Sequence, residues 1–289
     1  MFLFAHVRGG GMLMTTRTEP MRPFLKWAGN KYRIIERVRA RLPAGRRLVE
    51  PFTGSGAVFL NTDYPRYLLA DSNKDLIDLY NTLKKEGAAF IADCRKLFRP
   101  GNNNAEAYYR LRAEFNACAD PRRRAVLFVY LNRHGYNGLC RYNAKGGFNV
   151  PFGRYKKPYF PEKEMLAFHL KAKRAVFRHE TFERTLRNVR EGDIVYCDPP
   201  YVPLSVSSSF TAYHADGFNL DQQQHLADIA AGAAQRGITV LISNHDTAFT
   251  RTAYQAADIE RLSVQRSISC HGHKRRRVDE LLALYPAAG

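Results

Sequence analysis

Few cysteines interrupt this 289-residue chain, and the five present (Cys94, Cys118, Cys140, Cys197 and Cys270) stand far apart. No two have the spacing of a zinc knuckle or a dithiol redox motif, so free thiols in a reducing compartment are expected. No apolar run approaches the roughly 20 residues of a membrane-spanning helix. Neither an internal repeat nor a low-complexity tract is visible. Acids are short of bases: 27 Asp and Glu against 45 Lys and Arg leave a net charge of +18. A surface that basic fits a polyanionic partner, although charge by itself names no activity. With 45% apolar and 25% charged residues the composition is that of a globular protein, which excludes a disordered or collagen-like chain.

Residues 1–21 are set apart as a disordered tail or a mis-assigned start, because apolar Met1–Ala5 lacks a basic leader and is followed by Gly9–Gly11 and by Met12, Met14 and Met21. It does not read as a signal peptide. Apolar spacing then predicts a helix over Asn30–Arg41, a short strand at Leu48–Val49, a second strand at Tyr67–Ala70 and a helix over Lys74–Lys84. Further helices are predicted over 105–117 and 122–131. After them comes a stretch rich in Gly, Asn, Tyr and Arg; residues 121–161 hold nine Lys or Arg and no acid. Alternation resumes with helix 161–173, strand 175–178, helix 182–190, strand 194–197, helix 221–235, strand 238–242 and strands near 259–264 and 278–285. The expectation is a single α/β domain with a parallel sheet, formed by residues 22–74 and 162–289, which carries an inserted segment at 75–161.

Two constellations carry chemistry. The first is Phe52-Thr53-Gly54-Ser55-Gly56 after a strand, with Asp71 closing the next one. Glycines allow a sharp turn and close backbone approach, and a carboxylate at that place accepts hydrogen bonds from ribose hydroxyls. The third glycine of a dinucleotide site is missing, Phe59 standing there, and no Lys-Ser or Lys-Thr pair follows, which excludes a P-loop. Alone, the loop also reads as a plain turn before a helix. The second is Asp198-Pro199-Pro200-Tyr201 at the carboxyl end of an apolar run. Proline stiffens this turn and leaves carbonyls free to accept, so a carboxylate, a carbonyl and a ring could hold a planar amino-bearing base. Packing of Tyr201 in the core, with Asp198 capping the turn, is the plainer alternative.

Together these motifs resemble the amino-group methyltransferases that use S-adenosyl-L-methionine. The further segments Phe24-Leu25-Lys26-Trp27-Ala28-Gly29, Tyr130–Arg133, Tyr136–Asn143 and Phe148–Tyr155 resemble the DNA adenine methyltransferases of the Dam type, from about Arg22 to Tyr285. The resemblance implies a Rossmann-like methyltransferase sheet with helices on both faces, plus an inserted, mainly helical DNA-recognition domain. It implies methylation of the 6-amino group of adenine in double-stranded GATC sites, by base flipping and in-line displacement. Asp198, Pro199 and Tyr201 would be catalytic. Trp27, Ala28, Lys31, Glu50, Phe52, Gly54, Gly56, Asp71 and Asp198 would bind the cofactor. Cys197, beside Asp198, is expected to be a buried strand residue and not a nucleophile.

In the inserted segment the resemblance places Arg141 on a guanine, a pairing its planar fork suits. It places Leu139 and Pro151 on a thymine methyl, Lys26 on the first guanine, and Tyr136 and Asn137 in the gap left by flipping. Arg133, Arg154, Lys156 and Lys157 suit phosphate contacts. Trp27, the only tryptophan, has a simpler reading as a core anchor. Asn30 stands where many relatives carry a second glycine, so the loop before Lys31 is expected to have altered geometry. Cys270-His271-Gly272-His273 followed by four basic residues is expected to be a basic, DNA-facing hairpin loop, with no fourth ligand to make it a metal site. A monomeric cytoplasmic enzyme is expected. The rivals are the same fold acting on RNA adenine, a cytosine amino group or a protein glutamine, and a basic DNA-binding module without catalysis.

Overall fold

The computed structural model describes residues 19–202, 218–265 and 277–288. Residues 270–276 of the expected basic loop and most of the amino-terminal stretch therefore lie outside the described residues. Seven strands form one sheet: β1 (Arg47–Glu50), β2 (Arg66–Asp71), β3 (Ala175–His179), β4 (Asp193–Cys197), β5 (Thr239–His245), β6 (Asp258–Gln265) and β7 (Arg277–Tyr285), in the order β3-β2-β1-β4-β5-β7-β6. The first five are parallel, and β7 lies antiparallel between β5 and β6. The chain runs outward from β1 to β2 and β3, then returns to lay β4 on the other side of β1. That reversal makes the carboxyl ends of β1 and β4 the topological switch point, where open α/β sheets place their ligands.

Strand side chains alternate between two faces, and the core divides accordingly. Leu48, Tyr67, Leu69, Tyr196 and Leu241 enter one apolar cluster with α1 (Ile35–Arg41) and α3 (Lys74–Glu86). Val49, Leu68, Val195, Cys197, Val240 and Ile242 enter the other, with α8 (Phe182–Arg187) and α9 (Leu220–Gln235). Both faces are covered, as a parallel sheet requires. The remaining helices are α2 (Ala57–Asn61), α4 (Ala88–Leu97), α5 (Ala105–Ala117), α6 (Pro121–His134), α7 (Glu162–Ala172) and α10 (Ala248–Ala253). Between α3 and α7 the chain thus inserts three helices and an extended arm, and α6 packs against α3, α4 and α5. The inserted helices share the first apolar cluster with the sheet.

The predicted elements recur with boundaries shifted by a few residues. Lys31–Ile34 is a turn of 3-10 helix preceding α1, and α8 ends at Arg187, short of the expected 190. Helices α4 and α10 were not predicted; α4 follows directly on Gly87, whose φ of 51° breaks the helical path without ending the helical stretch. The Asn30 substitution is locally satisfied. Its φ is −58°, so the position demands no glycine, and its side chain accepts from the Tyr32 amide while donating to the Trp27 carbonyl. No described helix is long and apolar enough to cross a membrane. The described cysteines Cys94, Cys118, Cys140 and Cys197 are free thiols.

Candidate active site

The glycine loop leaves β1 with Gly54 at φ 45° and Gly56 at φ 69°, conformations that L side chains rarely adopt. A Cβ on Gly54 would stand 2.9 Å from Nε1 of Trp27, so the indole lies directly against the loop. The Gly54 amide donates to Asp71 Oδ2 at 3.0 Å, and the Tyr80 hydroxyl donates to the Gly54 carbonyl at 2.6 Å. Asp71 Oδ1 accepts from the Asn73 amide. Burial pushes the Asp71 carboxyl above its ordinary range, and these amides oppose the shift. The predicted association of glycine loop and acid is thus a hydrogen-bonded unit. Phe52 extends it with a planar face, stacked on Phe182 at 5.4 Å.

Around this unit are groups whose polar capacity the protein leaves unused. Glu50 is 2% exposed, and its Oε1 has no hydrogen-bond partner; the buried Thr53 Oγ1 has none either. Burial, and then the nearby Asp198 charge, push the Glu50 carboxyl well up. Orphaned buried acceptors, an aromatic face and glycine backbone make a donor set that fits an adenosine-bearing ligand with a polar tail.

On the neighbouring strand, β4 ends in Asp198-Pro199-Pro200-Tyr201. The turn is braced from β5 and α9: Gln223 Nε2 donates to the Pro200 carbonyl at 2.6 Å, and Asn244 Oδ1 accepts from the Val202 amide at 3.1 Å. Asn244 Nδ2 in turn donates to Gln223 Oε1, and His245 Nδ1 lies 2.7 Å from the Val202 carbonyl. Pro199 is buried, and among the described residues no donor reaches its carbonyl. Tyr201 donates to Glu280 Oε2 from β7 and meets His245 edge-on at 4.7 Å.

Asp198 receives three contacts. Lys31 Nζ lies 2.6 Å from Oδ1 and 2.8 Å from Oδ2, and Ser243 Oγ donates to Oδ1 at 3.0 Å. Tyr196 meets Ser243 from behind. Burial raises the Asp198 pKa; the Lys31 charge and the two hydrogen bonds pull the other way. Lys31 also donates to the Gly29 carbonyl and stands 4.5 Å from the Tyr201 ring centre, so one ammonium ties the Trp27–Gly29 stretch to the proline turn. Cys197 is fully buried, and burial pushes its thiol up, as expected of a strand residue. Ser243, Asn244, Gln223 and Glu280 went unnoticed in the sequence. Its only hint was the polar run Ser243-Asn244-His245 terminating an apolar strand.

A second group gathers on the inserted arm. Lys26 is joined to α6 by reciprocal bonds between its backbone and the Asn132 amide side chain. Its Nζ lies 3.6 Å from the Tyr155 ring centre, and burial lowers its pKa to about 8. The Tyr155 hydroxyl accepts from the Asn137 amide, and the Tyr136 amide donates to the Pro151 carbonyl. A side chain at Gly138 would overlap Lys26. Tyr136 and Arg141 are exposed, as are Pro151, Arg154, Lys156 and Lys157; Asn137 and Leu139 are half-buried. Lys26, Tyr136, Asn137, Leu139 and Pro151 thus share one rim. Arg133 departs from the expected exposed phosphate contact. It is 9% exposed, with its guanidinium directed at the carbonyls of Tyr159 and Phe24. An arginine so placed braces the amino-terminal segment against the arm.

With this geometry in place, similarity to known proteins is informative. Residues 27–268 match the model of the D12 class N6 adenine-specific DNA methyltransferases. The chain is 57% identical over 264 residues to the DNA adenine methylase of Salmonella typhi and to that of Escherichia coli K12, covering 91% of this chain and 95% of each relative. The DNA adenine methylase of Vibrio cholerae El Tor Inaba N16961 is 53% identical over 265 residues, covering 91% of this chain and 96% of the relative. The chain therefore belongs to the D12 class of N6 adenine-specific DNA methyltransferases.

Proposed function

We propose that the enzyme methylates the 6-amino group of adenine within GATC in duplex DNA, taking the methyl group from S-adenosyl-L-methionine and rotating the target base out of the helix. The observation that carries this reading is the placement of Asp198 on a braced, proline-stiffened turn at the end of β4, the strand paired with the β1 that leads into the glycine loop. Trp27, Ala28, Lys31 and Glu50 would hold the amino-acid end of the methyl donor, Phe52 its purine, Asp71 its ribose, with Gly54 and Gly56 allowing close approach. Bound there, the donor supplies an electrophilic methyl group on a positively charged sulfur.

The adenine amino nitrogen is a poor nucleophile because its lone pair is shared with the ring. Accepting its two hydrogens at Asp198 and at the Pro199 carbonyl localises that pair. Asp198 Oδ2 meets only Lys31 among the described residues, and a carboxylate oxygen has a second lone pair for a further donor. The carboxylate then takes the proton released after transfer, and Tyr201, held by Glu280, offers its face to the flipped base. Catalysis is positioning and fixed electrostatics, with no covalent enzyme intermediate.

Residues 75–161 serve in this reading as the recognition part. Arg141 reads a guanine, Leu139 and Pro151 the thymine methyl, Lys26 the first guanine, and Tyr136 with Asn137 fill the gap in the duplex. Arg154, Lys156 and Lys157 meet phosphates. Arg133 is reassigned to bracing. With recognition and catalysis in one chain in this reading, the enzyme acts as a monomer, and its DNA substrate places it in the cytoplasm. Methyl transfer to GATC duplexes and to single-base variants tests the assignment. Asp198→Asn is expected to lower kcat by at least about 100-fold while donor binding persists. Retained methylation by that variant, or equal rates on all duplexes, contradicts the mechanism or the site preference respectively.

A further inference from the structure

We propose that Tyr142 and Asp75 are positioning residues for base discrimination, setting the roll of the arm so that Arg141 faces the DNA. This rests on the reading of Arg141 as a guanine contact. Tyr142 is bridged to Phe148 and the Arg141 carbonyl accepts from the Asn149 amide, a local β pairing in which Cys140 and Tyr142 reach toward Asn73 and Asp75 while Arg141 reaches Asn149. Arg141 is exposed, while its two neighbours are half-buried against the start of α3.

The inward side is tethered twice. The Tyr142 hydroxyl donates to Asp75 Oδ2 at 2.7 Å, and Asn73 Nδ2 lies 3.3 Å from Cys140 Sγ. Asp75 is itself immobilised. Arg124 of α6 grips it with Nε to Oδ1 at 2.8 Å and Nη2 to Oδ2 at 2.9 Å, while Arg124 Nη1 donates to the Phe115 carbonyl at 2.7 Å. Asn73 is fixed through its amide to Asp71. On the outward side, Arg141 Nε donates to Asn149 Oδ1 at 2.8 Å and Nη2 reaches the Asn149 carbonyl at 3.3 Å, which steers the guanidinium edge.

In an extended segment the orientation of one residue follows from those of its neighbours. The tether of Tyr142 to Asp75 therefore decides where the Arg141 fork points, although neither residue is placed against DNA. A bidentate base contact is sensitive to such a displacement, whereas a lysine acting as a point charge on phosphate is not.

Tyr142→Phe removes only the hydroxyl and keeps the edge-on ring contact with Phe148. In the full chain, kcat/KM is measured on the GATC duplex and on duplexes changed at each position, alongside Arg141→Ala and thermal unfolding. The selectivity ratio at the guanine lost in Arg141→Ala is expected to fall about tenfold in Tyr142→Phe, as for a lost hydrogen bond to a charged group. Selectivity at the other positions and donor KM are expected to hold, with Tm lowered by only about 2–4 °C. Asp75→Asn disturbs the same tether from the other end, and the same ratio must fall. If Arg141→Ala alters one ratio and Tyr142→Phe lowers all rates in proportion, or none, the positioning role is overturned while base reading by Arg141 stands. If Arg141→Ala leaves every ratio unchanged, base reading by Arg141 is wrong and the positioning role falls with it.

Discussion

Asp198 shows how one side chain is held between opposing influences. Its burial favours the neutral acid, while Lys31 and Ser243 favour the anion. In the proposed mechanism the anion accepts the amino hydrogens, so kcat is expected to fall as pH drops through a pKa that lies above the ordinary aspartate range. Ser243→Ala removes one donor to the anion, which raises that pKa further. The acid limb of kcat is therefore expected to move to higher pH, with kcat near neutrality down about tenfold, the usual worth of a hydrogen bond to a charged group. A pH–rate profile checks this; a limb that stays in place or moves down contradicts it. The turn that carries Asp198 was legible in the sequence because two prolines and a tyrosine mark it. Ser243 was not, because a serine on a strand has no signature until the fold sets it beside a carboxylate. Arg133 misled for the same reason. Read in order it belongs to a basic run, and only packing reveals that it faces carbonyls.

Among the elements, those defined by local pattern were the most readable. Strand–loop–helix alternation, the glycine loop and the acid after β2 all follow from periodicity and from what glycine permits. The coupling between elements was hidden. Nothing in the sequence pairs Trp27 with Gly54, yet a Cβ on Gly54 would press to 2.9 Å from the indole nitrogen in a backbone conformation with φ 45°. Gly54→Ala is accordingly expected to cost about 1–3 kcal/mol of stability. It should also raise KM for the methyl donor more than KM for DNA, if the indole it displaces lines the donor site as proposed. Thermal unfolding and a two-substrate kinetic analysis measure both effects. An unchanged donor KM would separate Trp27 from the donor site.

The whole molecule is governed by its excess of base, +18 in net charge. Lys156 and Lys157 are exposed toward the end of the arm, whereas three arginines at the start of α6 are paired with acids, Arg122 with Glu86 and Asp93, Arg123 with Glu114, and Arg124 with Asp75. A charge count over the basic run therefore overstates what reaches DNA. Lys156→Ala is expected to weaken binding to every duplex alike and to reduce the slope of log affinity against log salt by about 0.9, one phosphate contact. Titrations at several salt concentrations on GATC and unrelated duplexes decide it; a change confined to GATC would make Lys156 a base reader.

The antiparallel seat of β7 between β5 and β6 also bears on how the enzyme comes into being. Until residues 277–285 emerge, β5 has no neighbour on that side, and its bare amides are open to the wrong partner. The same late segment brings Glu280, which anchors Tyr201. A nascent polypeptide thus gains the last pairing of its sheet and the hydrogen-bond partner of Tyr201 in one event, so the proline turn is fully braced only once the final strand has been made.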